Sequence, residues 1–206
     1  MIIVFIPLLC FCAFAGWLLI SQRKAQEQDN QASESFWDRE ARANSTRNKD
    51  ISGLPLLHIA ETELPDTDPG DETIHYYIGL LQENIKQPMI DLSAYSNTDL
   101  KLAYGVGNFK TLSSYDENYN TFLLNLTNLA RAYCHAGLYD DAVRTYRLTL
   151  QYGSQKVTDY SELAEAYLTL GRRDQAIHLI EETKSGSHPR KASVIKALQE
   201  VLSANP

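Results

Sequence analysis

Apolar side chains recur every three or four residues along most of the chain after residue 70, which is the spacing of a buried helix face. A first such helix follows Asp68-Pro69-Gly70-Asp71, where Asp68 is expected to cap the helix and Pro69 to occupy its first position. The pattern predicts an all-α fold. The buried face of this first helix is expected to hold Ile74, Tyr77, Ile78, Leu81 and Ile85.

Weaker helical signals fill the stretch that follows. Ser96-Asn97-Thr98-Asp99 is a capping sequence that opens a short helix, and Gly105 and Gly107 end it. Residues 108–119 predict a further helix, separate from one that begins at about residue 121. Residues 51–120 are therefore expected to form a degenerate helical lead-in to the rest of the domain.

The strongest pattern is a repetition at a shift of 34 residues. The alanines in it are expected where two helices cross closely, and each glycine where a helix ends with positive φ. The repeated set is Leu129, Ala130, Tyr133, Gly137 and Ala142, matched by Leu163, Ala164, Tyr167, Gly171 and Ala176. The period predicts two helical hairpins, with helices at residues 121–135 and 139–152, then at 158–170 and 173–184, and a closing helix at 189–202.

This repetition resembles the tetratricopeptide repeat (TPR), a 34-residue helix–turn–helix unit. The resemblance covers residues 121–186, so residues 121–206 are expected to hold two TPR repeats and a C-terminal capping helix. It implies an α-solenoid whose first helices line a concave face that receives a peptide or helix of a protein partner. Because two repeats alone bury too little core, the lead-in is expected to cover their open N-terminal side.

The N-terminus is expected to be a single transmembrane anchor. Residues 2–20 carry no charged or strongly polar side chain, and a helix of that length spans about 28 Å, close to the thickness of a bilayer core. A cleaved signal peptide is the alternative, although no basic region precedes the apolar run. Arg23 and Lys24 follow the span, so the positive-inside rule predicts a cytoplasmic C-terminal domain. Residues 21–50 are polar and are expected to form a stalk or linker.

A second resemblance extends over nearly the whole chain. It rests on the apolar N-terminus, Phe36-Trp37-x-Arg39-Glu40, Lys49-Asp50-Ile51-Ser52 and the segment from Ser96 to Gly105. These features resemble a group of single-pass membrane TPR proteins of clostridia-type bacteria. The resemblance implies a bacterial host and the same architecture, and it carries no activity.

Composition and the absence of known motifs argue against several classes of function. The net charge of −7 lacks the basic footprint of a nucleic-acid binder, so no nucleic-acid partner is expected. The five histidines are scattered, and no metal-ligand spacing, nucleotide-binding loop or nucleophile motif occurs. The acidic run from Glu61 to Glu72 lacks the spacing of a calcium loop. Neither a cofactor nor a metal is therefore expected, and the chain is not expected to be an enzyme.

The candidate binding residues are those that the TPR resemblance puts on the concave face. The first repeat contributes Leu124, Thr127, Asn128, Arg131, Cys134 and His135, and the second contributes Thr158, Ser161, Glu162, Glu165, Leu168 and Thr169. The predicted partner-binding set is Asn128, Arg131, His135, Ser161, Glu162, Glu165 and Leu168. The glutamates near Arg131 argue against the carboxylate clamp of chaperone-binding TPR domains. The alternative is that these residues only solvate the face.

The sequence favours a membrane-anchored adaptor or scaffold that binds a protein partner at the cytoplasmic surface of the cell membrane. One alternative is an envelope-side, chaperone-like TPR factor that acts on secreted proteins, which needs the opposite topology. Another alternative is a structural subunit of a membrane complex that uses the convex face.

Overall fold

The computed structural model describes Gln22 and residues 34–205, which form helices and connecting loops with no strand among them. The predicted membrane span, residues 2–20, lies outside the described residues. In the part that is described, no helix is long and apolar enough to cross a bilayer. The prediction of an all-α fold is confirmed for these residues.

Eight helices follow one another along the described chain. Two short 3₁₀ turns, Glu61–Glu63 and Val106–Asn108, precede α2 and α4. The helices are α1 (residues 34–44), α2 (Glu72–Asn84), α3 (Asn97–Tyr104), α4 (Phe109–His135), α5 (Tyr139–Gln151), α6 (Val157–Thr169), α7 (Arg173–Ser185) and α8 (Lys191–Ala204).

The described residues divide into two compact units. The first unit contains residues 34–53 together with Ala94–Lys110, and the second contains Leu54–Ser93 together with residues 111–205. Part of the predicted stalk therefore belongs to a packed unit with α3, which the polar composition of residues 21–50 did not indicate.

The second unit is built on the predicted 34-residue period. The starts of α5 and α7, Tyr139 and Arg173, lie one period apart, and so do the starts of α6 and α8, Val157 and Lys191. The closing helix α8 thus takes the place that a first helix of a third hairpin would take. We call α4–α5 the first hairpin and α6–α7 the second hairpin.

Small residues let the helices of each hairpin approach closely. The four repeated alanines are fully buried, as the period predicted. Gly137 and Gly171 follow α4 and α6 with φ of 75° and 69°, a conformation that costs other residues about 1–2 kcal/mol. The alanines are Ala130, Ala142, Ala164 and Ala176.

Two predicted helix boundaries were wrong. α4 is continuous from Phe109 to His135, although separate helices were predicted at residues 108–119 and from 121. The polar residue at the expected break, Asn120, folds its amide back onto the backbone oxygen of Asp116 at 2.9 Å, so the helix continues. The other error concerns α2, which is capped by Asp71 rather than Asp68: the Asp71 carboxylate accepts hydrogen bonds from the two amides of Thr73 and Ile74.

The lead-in joins the core of the two hairpins. Its side chains Ile59, Leu64, Ile74, Leu81 and Met89 belong to one buried apolar cluster with the hairpin residues. Two isolated repeats were expected to bury too little apolar surface, and the shared core supplies the additional burial.

α2 runs antiparallel to the second half of α4. Near the C-terminal end of α2, the Asn125 amide donates to the side-chain oxygen of Asn84 at 2.7 Å. Near its N-terminal end, the Tyr133 hydroxyl donates to the backbone oxygen of Thr67 at 2.8 Å. α2 therefore flanks α4 over most of its own length.

The first unit is closed by a polar latch between two chain segments, formed by Asn48, Lys49, Tyr104, Gly107 and Asn108. The Lys49 amide donates to the Tyr104 oxygen at 3.0 Å, and the Gly107 amide donates to the Asn48 side chain at 2.8 Å. The Asn108 amide bridges the two segments by donating to the backbone oxygens of Lys49 and Tyr104.

Candidate functional site

Hydrogen bonds between helices define the face on which the predicted binding residues lie. α4 contacts α6 through Thr127 and Asp159 and through Arg131 and Glu162, and α6 packs in turn on α8. α5 contacts α7 through Arg147 and Glu182. The helices therefore form one layer of α4, α6 and α8 and another layer of α5 and α7. We call the outer side of the first layer the helix-A face.

Arg131 and Glu162 form a two-pronged ion pair on this face. The guanidinium donates to both carboxylate oxygens at 2.8 to 3.1 Å, and the hydroxyl of Tyr146 donates to the same carboxylate at 2.8 Å. The hydrogen bonds to Glu162 raise the pKa of Arg131 above its ordinary value. Because these two charges neutralise each other, a partner gains little by supplying a counter-charge to either one.

Sequence reasoning missed the contribution of Tyr146. This residue lies on α5, yet its side chain is almost fully buried and its hydroxyl reaches the ion pair between α4 and α6. Burial and the neighbouring Glu162 raise the pKa of Tyr146 far above its ordinary value, so it remains a neutral donor. The residue one 34-residue period after Tyr146 is Ile180, so the sequence pattern indicated packing at this position and not a polar role.

The remaining members of the predicted set lie on the same layer without joining the ion pair. His135 and Glu165 are exposed, and Asn128 is half-buried. The Ser161 hydroxyl donates to the Thr158 oxygen of its own helix at 3.0 Å, and Leu168 packs partly against the core. Within this set, hydrogen bonds bring together the side chains of Arg131 and Glu162.

The prediction that Thr127 faces the groove is wrong. Thr127 is 1 % exposed, and its hydroxyl lies 3.2 Å from a carboxylate oxygen of Asp159, which is fully buried. The Ser154 hydroxyl donates to the other oxygen of Asp159. Burial raises the pKa of Asp159, and these two hydroxyls oppose the rise. The cluster joins the first hairpin to the second from within.

A depression of about 360 Å³ lies at one end of the helix-A face. Leu123 and Leu124 of α4 form one wall, and Leu124 is 45 % exposed. Lys156 and Arg190, which directly precede α6 and α8, add two cations to its lining, and Asp91 adds one carboxylate. The depression has the size of a site for one or two side chains and combines an apolar wall with charge.

The segment before α2, residues 54–68, contacts α5 through residues 62–67. We call this segment the strap. Thr67 donates to the Asp141 carboxylate at 2.7 Å, and the hydroxyl of Tyr152 donates to Glu63 at 3.0 Å. Strap residues 62–67 and the α5 residues Asp141, Arg144 and Leu148 line a common cleft. These contacts hold the strap against the second layer.

Comparison with protein families finds one match in the chain. A family model described as tetratricopeptide repeat matches residues 126–157, which correspond to most of the first hairpin and the start of α6. No curated protein and no solved structure matches the chain.

Proposed function

We propose that this chain is a membrane-anchored adaptor whose helix-A face binds a protein partner. The observation that carries the proposal is the tetratricopeptide match at residues 126–157, because such repeats generally bind proteins. The helix-A face supports it with an exposed Leu124, an exposed Glu165 and the depression that Leu124 borders.

The chemistry of the face favours a largely uncharged partner segment at its centre. The Arg131–Glu162 pair is satisfied internally, so a partner carboxylate would have to displace Glu162 from its two-pronged contact. At the end of the face, Leu124 with Lys156 and Arg190 suits an apolar side chain next to an acidic one. We infer a peptide or helix with this pattern as the occupant.

The anchor and the location of the domain remain proposals from the sequence. Residues 2–20 are long and apolar enough to span a bilayer, and Arg23 and Lys24 after them favour a cytoplasmic domain. The resemblance to single-pass TPR proteins of clostridia-type bacteria supports the same arrangement. A reporter fused after Pro206 that is active only outside the cytoplasm would contradict this topology and favour the envelope-side alternative.

Site-specific photo-crosslinking in membranes tests the binding face. A photoreactive residue replaces Leu124 or Glu165 on the helix-A face, and Ile177, which is 44 % exposed on α7, serves as the matched control. We expect a protein partner to crosslink from Leu124 and Glu165 and not from Ile177. Crosslinks from Ile177 alone would instead support a structural subunit that uses the other layer.

A further inference from the structure

An exposed aromatic pair, Phe36 and Trp37, lies in the first turn of α1. The two side chains are 53 % and 64 % exposed, and their rings meet edge to face with centroids 5.3 Å apart. A tryptophan and a phenylalanine that expose this much surface side by side are unusual on a surface that contacts water alone.

Within the first unit, α1 packs through the turns that follow the pair. Glu40 accepts hydrogen bonds from Thr98 at 2.8 Å and from Lys101, and Arg39 pairs with Asp99. Ala43, one turn later, is fully buried. Arg39 and Glu40, which follow the aromatic pair, thus connect α1 to α3.

Charge separates the first unit from the rest of the chain. Its described residues carry six cationic and five anionic side chains, a net of +1, whereas residues 54–93 and 111–206 carry eleven and nineteen, a net of −8. Anionic lipid headgroups repel the acidic set and do not repel the first unit. Arg42 and Arg47, both exposed on or just after α1, add attraction to such headgroups.

The chain also keeps the pair close to a membrane. Phe36 follows the end of the predicted span, Ile20, by sixteen residues, which reach at most about 55 Å when fully extended. An anchored chain therefore presents the pair to the bilayer surface at high effective concentration. Tryptophan and other aromatic side chains are enriched at the level of the headgroups, where their rings contact both lipid and water.

We infer that Phe36 and Trp37 insert into the headgroup layer of a phospholipid bilayer and so fix α1 at the membrane surface. The inference rests on the proposed function in so far as the anchor brings the pair to the bilayer. It goes beyond the anchor because it assigns membrane contact to a helix that packs within the first unit.

The two tryptophans of the chain allow the anchor and the surface contact to be tested separately. Trp17→Phe leaves Trp37 as the reporter of the headgroup layer, and Trp37→Phe leaves Trp17 as the reporter of the predicted span. Each full-length variant is reconstituted into vesicles of phosphatidylcholine and phosphatidylglycerol with bromines either near the headgroups or near the chain ends. We expect Trp37 to lose more emission with the shallow bromines than with the deep ones, and to shift to shorter wavelengths relative to the detergent-solubilised protein.

The combined outcomes distinguish the two proposals. Quenching of Trp17 without quenching of Trp37 overturns the surface contact and leaves the anchor standing. Quenching of Trp37 alone supports the surface contact and overturns the anchor, and the absence of quenching in both overturns both.

A matched control moves the reporter to an exposed aromatic position in the acidic unit. Tyr76 on α2 is 59 % exposed, close to the exposure of Trp37. In a chain that also carries Trp17→Phe and Trp37→Phe, Tyr76→Trp is expected to show no bromine quenching. Quenching at this position as strong as that of Trp37 would mean that exposure and tethering alone bring an aromatic ring to lipid, and would overturn the specific role of α1.

Discussion

The contacts that stabilise the two hairpins internally differ in kind from those that stabilise the first unit internally. In the hairpins, alanines at the helix crossings and large side chains such as Tyr133 and Leu163 are completely buried. In the described residues of the first unit, the buried apolar side chains are Ala43 and Leu100, and hydrogen bonds and ion pairs connect the segments. Close packing produces a periodic pattern of residue types in the sequence, whereas the polar contacts of the latch produce no such pattern.

The largest effect is expected from overfilling a helix crossing in the hairpins. Ala164→Leu adds three carbon atoms at a fully buried position of α6, so the free energy of unfolding should fall by about 1–3 kcal/mol. Urea denaturation followed by circular dichroism measures the change. The matched control is Ala192→Leu on α8, where the side chain is exposed and the change should stay within about 0.5 kcal/mol. Equal losses in the two variants would contradict close packing at the crossing.

The next effect concerns the latch of the first unit. A Cβ at Gly107 would lie 2.2 Å from the side-chain nitrogen of Asn48, so Gly107→Ala must displace the Asn48 side chain and break its hydrogen bond. We expect a local loss of about 1–2 kcal/mol, seen as faster hydrogen exchange at the amides of Lys49 and Gly107.

A comparison with the neighbouring Gly105 distinguishes a clash with a side chain from a clash with the backbone. At Gly105 the nearest atom to an added Cβ is the Cα of Asn48 at 2.5 Å, and φ is +91°. In double variants, Asn48→Ala should therefore remove most of the additional destabilisation caused by Gly107→Ala. It should remove little of the destabilisation caused by Gly105→Ala. Equal rescue of both variants would show that the latch does not hold the backbone of Asn48 at this distance.

A smaller effect is expected from the ion pair on the helix-A face. Arg131 and Glu162 have side chains 42 % and 27 % exposed, so solvent screens their attraction despite the good geometry. A double-mutant cycle with Arg131→Met and Glu162→Gln should give a coupling of about 0.5–1 kcal/mol. A coupling several times larger would mean that the hairpins depend on polar contacts as strongly as the first unit does.

The smallest effect on stability at any one pH is expected from replacing Asp159. Two hydroxyls offset part of the free-energy cost of burying its carboxylate. Because burial raises the pKa of Asp159 in the folded state, the protonated form stabilises the fold and this stability is lost as the pH rises through the raised value. Asp159→Asn mimics the protonated form. Its stability relative to the native chain should therefore be greatest at about pH 7 and should decline towards about pH 4. Denaturation of both proteins at the two pH values measures the difference, and a difference that does not change with pH would contradict an ionised buried carboxylate.

The hairpins were predictable because their signal comes from packing that repeats. Helices α5, α6 and α7 begin and end within one residue of the predicted bounds. The predicted break in α4 was wrong. Asparagine disfavours helices in general, but Asn118 and Asn120 here satisfy their amides on the oxygens of Pro88 and Asp116. That compensation depends on contacts that the sequence alone does not reveal.

For the candidate site, the sequence predicted that Arg131 and Glu162 lie on one face but not that they form an ion pair. Arg131 and Glu162 were expected on one face, and the two-pronged contact between them depends on the spacing of α4 and α6. Thr127 was assigned to the face by the TPR resemblance, which does not reveal its contact with the buried Asp159. The role of Tyr146 was hidden because its contact crosses from one helix layer to the other.

The strap has a consequence for how the chain folds as it is synthesised. Glu63 contacts Tyr152, and Thr67 contacts Asp141, partners that leave the ribosome 89 and 74 residues later. Until α5 emerges, the apolar side chains of Ile59 and Leu64 have no finished core to enter. Contacts of such sequence separation close slowly and leave apolar surface exposed in the interval. The early chain is therefore the part of this protein most in need of protection during translation.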